Sequence, residues 1–552
     1  MDEIRTILRK DAMMDETFRT TYQQYLKDES RTTGYAESIS FPGTEEEVRA
    51  DLKEYCGRGI PVTVQGARTG LTGGCVPFGG HILNTSGLDR ILGLERAEDG
   101  SFLVRLQPGI TLARLRTLLA EKSLPTEGWD ETSLRVYEEF KKAPEQFFPP
   151  DPTESSAFLG GIAACNASGS RSYLYGPMRP WVQGLRLALS DGDVIALRRG
   201  ECFAEGRGLR VVTEGGREIR TLLPFYEMPR CKNASGYYAE DDMDAIDLII
   251  GSDGTLGVLT ELTLRLIPKP QVVWAVSVFF RDEPQAIRFT EAVRPALKNA
   301  AAVEYFDGNA LRILRDQKEN NAAFSSLPVI DPKAECCIYV ELHCGSEEEA
   351  RETLYSIGAV LSDCGGDEAA TWVARNQKDR DLLIFFRHSV PESTNMLIDL
   401  RRQADPTITK LGSDMSVPDG KLEEIVKVYR DTIRELGLES ATWGHIGSNH
   451  LHVNIVPRNH EEHVKGKELF GRWAEIITSM GGAVSAEHGV GKIKRDFLRT
   501  MYGKEGLLEM ARVKAAFDPT LMLARGNLFP EEILEEIAAE GMKIETGKEA
   551  QA

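Results

Sequence analysis

Cysteine is sparse and unpatterned: nine in 552 residues, with no CxxC and one adjacent pair, Cys336-Cys337. That excludes a disulfide framework and an iron–sulfur cluster of the chain's own. The scattered thiols read as reduced, which places the protein in the cytoplasm. No apolar run reaches the roughly 20 residues of a membrane span. The N-terminus, Met1 to Lys10, alternates acid and base and carries no secretory apolar core. Basic excess is missing too. Lys and Arg number 66 against 85 Asp and Glu, for a net charge of −19. Such a surface argues against nucleic acid and against an anionic membrane. An anionic small molecule stays admissible, because a pocket can gather its own cations. Two nucleotide motifs are absent: no GxGxxG follows a strand, and no glycine loop ends in the Lys of a P-loop.

What is there is an ordinary globular composition, 41% hydrophobic and 27% charged, with 51 glycines and length enough for several domains. Residues 1–35 read as a polar helical arm. Residues 36–270 carry a strand–helix rhythm, with Thr44 capping a helix that ends at Gly57. Residues 129–147 read as a charged surface insertion. Pro268-Lys269-Pro270 marks a boundary. A second region, 271–505, alternates longer helices with strands such as 272–280 and 337–343. Residues 506–552 form an acidic helical segment, expected to return to the first domain.

Three small-residue blocks stand next to predicted strands. The first is Gln65-Gly66-Ala67-Arg68-Thr69-Gly70-Leu71-Thr72-Gly73-Gly74. The second runs from Pro150-Asp151-Pro152 and Ser155 through Gly160-Gly161 to Asn166-Ala167-Ser168-Gly169. The third is Gly251-Ser252-Asp253-Gly254-Thr255-Leu256-Gly257-Val258. Glycine lets backbone N–H groups approach phosphate oxygens, so three such blocks can wrap a dinucleotide. The plain alternative is that each is a tight turn.

A second constellation is Gly444-His445-Ile446-Gly447-Ser448-Asn449-His450-Leu451-His452-Val453-Asn454. Alternation puts His450, His452 and Asn454 on one strand face, and the Gly-Ser-Asn turn can fold His445 back beside His452. Two converging imidazoles make a borderline-metal site. A third ligand should be a carboxylate, and Glu487, followed by His488, is available in Ser485-Ala486-Glu487-His488-Gly489-Val490-Gly491. The alternative is a set of hydrogen-bonded structural histidines. His460-Glu461-Glu462-His463 has the wrong spacing for a zinc motif and reads as a solvated helix start.

These blocks together resemble the vanillyl-alcohol oxidase / p-cresol methylhydroxylase superfamily over roughly residues 35–530. The third block resembles that family's "GSEGTLG" segment, with Asp253 in place of the usual Glu, and Tyr175-Gly176 and Lys232-Asn233 also match. The resemblance implies an α+β fold: a two-subdomain FAD-binding domain and an α+β substrate (cap) domain. Ala67 and Arg68 depart from the family's glycines. No His or Cys in the first loop suggests a covalent flavin link, so FAD is expected to be dissociable. The implied FAD contacts are Gln65 to Gly70, Thr72, Gly73, Pro150, Asp151, Ser155, Gly160, Gly161, Asn166, Ser168, Gly169, Tyr175, Gly176, Asp253, Gly254, Gly257 and Val258.

The histidine segments match "GHxGxxxLHxN" and "EHGxG" of the D-lactate, D-2-hydroxyglutarate and glycolate dehydrogenase branch. That resemblance implies His445, His452 and Glu487 as ligands of zinc, iron or manganese, His488 as base and Asn454 as a substrate or metal contact. His450 stands where members vary and is left out of the site. Phe386-Arg387-His388-Ser389-Val390-Pro391 resembles the segment supplying a substrate-carboxylate Arg. Arg387 is therefore the expected clamp, with His388 a neighbouring candidate. Lys410 is a second carboxylate contact or a structural residue.

The implied reaction is oxidation of a D-2-hydroxy acid, D-lactate-like, to the 2-oxo acid. With no cluster of its own, the chain should pass electrons to an electron-transferring flavoprotein or an iron–sulfur subunit. A homodimer is compatible with the sequence. Two rivals remain: an alkyl-dihydroxyacetonephosphate-synthase-like flavoenzyme, whose histidine run is missing here, and a non-catalytic flavin electron-transfer subunit.

Overall fold

The computed structural model describes residues 20–549. Most of the N-terminal helix expected over 1–35 falls on residues 1–19, outside those described. From Gln23 onward that expectation fails. One 3₁₀ turn, Gln23–Leu26, gives way to extended chain that bridges Tyr35 to Phe78.

A parallel three-stranded sheet comes first, with Ser38–Ser40 and Val62–Gln65 flanking His81–Asn84. The helix Glu45–Gly57 covers it. Thr44 caps this helix by accepting from the Glu47 N–H, and three glutamates fill its first turn, where the helix dipole favours anions. Its Val48, Leu52 and Cys56 pack on Val62, Leu83 and Leu523. A second, antiparallel sheet orders its strands as Ile91–Arg96, Phe102–Leu106, Val258–Arg265, Val182–Ala188 and Val194–Arg198. The charged stretch 129–147 holds the helix Glu131–Lys142, whose Val136 and Phe140 join the core beneath this sheet.

The third sheet is larger and antiparallel. It runs Thr371–Ala374, Val272–Phe280, Cys336–Cys344, Ala300–Asp307, Ser440–Gly444, His450–Ile455 and Leu411–Gly412, with Met415–Ser416 pairing to the His450 strand. Its strands are apolar on both faces because helices cover both. Val276, Val278, Ile338 and Val340 face the helices Glu283–Val293, Glu347–Asp363, Leu422–Leu436 and His460–Ser479. Ala275, Phe279, Cys337 and Tyr339 face Gly308–Asn320 and Gln377–Ala404.

After the third sheet the chain returns to the first two. Arg495–Phe517 breaks at Gly503, whose φ is 69°. Leu507 to Phe517 joins the core of the second sheet. Leu523 bridges to Val62, while the Ala524 N–H donates to the Val62 carbonyl. Lys514, 1% exposed, welds this return by donating to the Thr255 and Leu523 carbonyls and to Asp518, each at 2.9 Å. Among the described residues, no helix is long and apolar enough to cross a membrane.

Candidate active site

The three glycine blocks meet in one cavity of about 280 Å³. Gln65 anchors the first loop by donating to the Tyr25 and Cys75 carbonyls, 2.7 Å each. The N–H groups of Arg68, Thr69 and Gly70 find no protein acceptor among the described residues. Orphaned amides facing a cavity form an anion nest, which suits a pyrophosphate. Across the cavity lie Gly160 and Gly161, on the helix Leu159–Ala164. A Cβ on Gly161 would meet no atom within 4 Å, so this wall is open to a ligand. Gly254, Gly257 and Val258 close the third side. These residues fit an extended dinucleotide: bare backbone, apolar walls and unpaired donors.

One end of the same cavity is lined by Glu487 and His488. The hairpin Ser440–Gly444/His450–Ile455 delivers His445, His450 and His452 to that end, with Trp443 opposite His452. Gly444 has φ 128°, and a Cβ there would press within 3.0 Å of the His452 ring. No other residue lets the turn fold so tightly over it. Asn449, with φ 51°, completes the turn.

The distances are tight. Glu487 Oε1 lies 3.3 Å from His445 Nε2, 3.2 Å from His452 Nε2 and 3.5 Å from His488 Nε2. Each ligand-type imidazole has its other nitrogen fixed. His445 Nδ1 donates to Glu304 at 2.7 Å, and His452 Nδ1 donates to the Ser413 carbonyl at 3.1 Å. Anchoring Nδ1 so that Nε2 points inward is the arrangement metal-bound histidines adopt. Donors held at about 2.1 Å from one ion sit roughly 3 Å apart, so this spacing suits a divalent cation.

Charge is organised to match. Burial opposes ionisation of Glu487, but the Lys232 ammonium at 2.6 Å and His445 outweigh it and hold the carboxyl well below its ordinary range. Burial likewise opposes ionisation of Glu304, and His445 with Arg387 brings its pKa down to about 2. Asp414 is the hub of the His488 loop. It accepts from the Glu487 and His488 N–H groups, the Ser485 hydroxyl and the Lys494 ammonium, and it stands 3.4 Å from His488 Nδ1. Burial pushes the His488 pKa down to about 4, against the pull of Asp414. Its imidazole is therefore neutral at pH 7 and free to accept a proton.

Two family models cover most of the chain. One described as "FAD binding domain" matches residues 36–127 and 133–198; one described as "FAD linked oxidases, C-terminal domain" matches 269–528. The chain belongs to the FAD-linked oxidase family. It is an oxidoreductase with FAD as its cofactor. This FAD-linked oxidase is 25% identical to glycolate oxidase subunit GlcD of Bacillus subtilis over 508 residues, 91% of each chain. It is 27% identical to D-lactate dehydrogenase of Archaeoglobus fulgidus over 491 residues, 88% of this chain and 90% of that one. A solved alkyldihydroxyacetonephosphate synthase shares the fold, with a TM-score of 0.60 at 15% identity over 95% of this chain and 84% of that one.

Of the residues the resemblance assigns to FAD, Gln65 to Gly70, Thr72, Gly160, Gly161, Ser168, Asp253, Gly254, Gly257 and Val258 line the cavity of the oxidase. Gly73, Pro150, Asp151, Ser155, Asn166, Gly169, Tyr175 and Gly176 do not. Asn166 takes a left-handed turn and accepts from the Arg179 N–H. Gly169 lets the Asp151 carbonyl pack where a Cβ would stand. Asp151 itself pairs with Arg116 and Arg171, and Tyr175 bonds His343.

Arg387 sits on the buried face of Gln377–Ala404, beside Phe386 and one turn from Leu383 and Val390. There its Nε donates to Glu304 at 3.1 Å. Pro391 has no N–H for the Arg387 carbonyl four residues back. Burial, aided by Arg31, pushes the Lys410 pKa down to about 8, and no carboxylate pairs with it among the described residues. Asn454 is buried and donates to the His452 carbonyl. The solvated reading of 460–463 holds for His460 but not for His463, which is 4% exposed and bonded to Thr409.

His450, which the sequence leaves out of the site, lies beside it. The structure brings its ligand atom within 4.8 Å of those of His445, His452 and Glu487. Four further residues escaped the sequence reading of the site: Glu304, Asp414, Lys494 and, as the partner of Glu487, Lys232. None belongs to a motif that marks it as part of the site. Only the 3.6-residue or 2-residue burial pattern around it hints that it points inward.

Proposed function

We propose that this enzyme oxidises a D-2-hydroxy acid, D-lactate-like, to the 2-oxo acid. The observation that carries the reading is the placement of Glu487 and His488 in the wall of the dinucleotide cavity, with His445 and His452 closing on Glu487. FAD, when bound, supplies the acceptor for the hydride equivalent leaving the α-carbon. His445, His452 and Glu487 would hold a divalent cation, zinc, iron or manganese, whose chemistry there is to polarise the substrate's hydroxyl and carboxylate oxygens. His488 takes the hydroxyl proton on its neutral imidazole, oriented by Asp414. Arg387 uses one edge of its guanidinium on Glu304 and offers the remaining donors to the substrate carboxylate. Lys410, half-buried and without a carboxylate partner among the described residues, is a second cation for that end. Asn454 holds the His452 backbone and with it the ligand's direction.

With no iron–sulfur ligands of its own, the chain would rely on a separate electron carrier, an electron-transferring flavoprotein or an iron–sulfur subunit. The described cysteines are all free, which suits a cytoplasmic enzyme.

The test is anaerobic. Purified enzyme receives D-lactate, D-2-hydroxyglutarate or glycolate separately, and the flavin band is followed. Bleaching by one of them is the expected result, and His488→Asn should slow it about 10²–10⁴-fold. A flavin that none of them bleaches after metal is restored overturns the reading.

A further inference from the structure

We infer that His450 is itself a metal ligand in this chain, so that three imidazoles and one carboxylate hold the ion. The inference rests on the reading of His445, His452 and Glu487 as a divalent-metal site.

The His450 ring is fully buried; among the described residues its Nδ1 has no hydrogen-bond partner and its Nε2 has only a contact with Asp414. A buried polar group without a partner is costly and calls for an explanation. The Nε2 contact is with Asp414 Oδ1, at 3.1 Å. Asp414 accepts mainly elsewhere: Ser485, His488 and Lys494 sit on Oδ2 and the Glu487 N–H on Oδ1, so its hold on the ring is the single Nε2 contact and leaves His450 Nδ1 unclaimed.

The ring lies instead among the ligand imidazoles. Its centroid is 4.5 Å from that of His452 and 5.3 Å from that of His445. All four candidate donor atoms lie within 4.8 Å of one another, the span that opposite ligands of one small cation need at about 2.0–2.2 Å each. The other two imidazoles have one nitrogen tied back and one turned inward. His450 likewise has Nε2 beside Asp414 and Nδ1 without a partner among the described residues. Four protein donors leave two positions on a six-coordinate ion, the number a hydroxyl and a carboxylate oxygen would fill.

The experiment uses the full-length flavoenzyme, stripped of metal and reloaded with Mn(II) alone. X-ray absorption at the manganese edge counts imidazoles from their outer-shell scattering, and three are expected. His450→Gln should show two, with the Mn(II) dissociation constant raised more than about 100-fold while flavin absorbance and thermal unfolding stay as in the parent. Two imidazoles in the parent enzyme, or an affinity within about threefold after His450→Gln, overturn the inference and leave the two-histidine site standing. A parent enzyme that binds no divalent cation sinks both. Should His450→Gln fail to fold, the imidazole count on the parent decides alone.

Discussion

Glu304→Gln is the most informative single change. Glu304 side-chain exposure is 4%, and the carboxylate serves two partners at once: His445 Nδ1 at 2.7 Å and Arg387 Nε at 3.1 Å. Glutamine keeps an oxygen for the His445 N–H, so the tautomer survives. It removes the charge facing a buried guanidinium. Breaking a buried ion pair costs about 3–5 kcal/mol. Asp151, which also acts on Arg387, moves the expected loss to the lower end, about 3 kcal/mol. The outer partner of a metal-ligating imidazole is typically worth 10–100-fold, or about 1.4–2.8 kcal/mol, in affinity or activity. Urea unfolding measures the first effect; Mn(II) titration and kcat/KM with a dye acceptor measure the second. KM should rise more than kcat falls, since Arg387 is the group set adrift. An unfolding midpoint and kcat/KM both unchanged would refute the view that one carboxylate organises ligand and clamp together.

Three further outcomes follow. His81, 1% exposed and stacked on Tyr55, has its pKa pushed from 6.5 to about 3 by burial. The folded state thus resists the proton the unfolded chain accepts: stability is full above pH 6.5 and falls toward pH 3, by about 2 kcal/mol at pH 5. His81→Asn should flatten that slope in urea titrations across this range, and an unaltered slope refutes the assignment. Lys514→Met should cost about 3–5 kcal/mol, because Asp518 and two carbonyls lose one shared donor; an unshifted unfolding midpoint counts against that weld. Gly161→Val should leave the fold intact and weaken FAD retention on ultrafiltration, since its side chain enters open cavity. Gly160→Ala, whose Cβ would lie 2.4 Å from Pro108 Cβ, should instead destabilise by about 1–3 kcal/mol. Equal flavin retention by the parent and Gly161→Val would contradict the placement of the cofactor.

Much of the fold was legible because its signals are local. The cap at Thr44, the turn around Gly192 and the apolar strands 272–280 and 336–344 declare themselves within a dozen residues. So do the glycine blocks and the His445–His452 spacing. What stayed hidden depends on distant convergence. Glu304 reaches His445 across 141 positions, Lys232 reaches Glu487 across 255, and nothing near Glu304 or Lys232 marks the contact. Asp151, Asn166 and Tyr175 lie off the cavity lining for a related reason. A motif shows that a segment approaches the cleft but not which side chains turn away to hold its backbone. His450 stands where members of the resembling branch vary, so the motif gives it no role, while its burial is a property of the packed sheet.

The bridge between Val62 and Leu523 has a consequence for how the protein is made. The strands of the first sheet are synthesised long before the segment that caps its edge. Until that segment leaves the ribosome, the strand Val62–Gln65 exposes backbone groups that a neighbouring chain could pair with. Closing so long a loop is slow. The nascent enzyme therefore passes through a vulnerable stage, and a change at Met522–Ala524 would harm a sheet synthesised long before it.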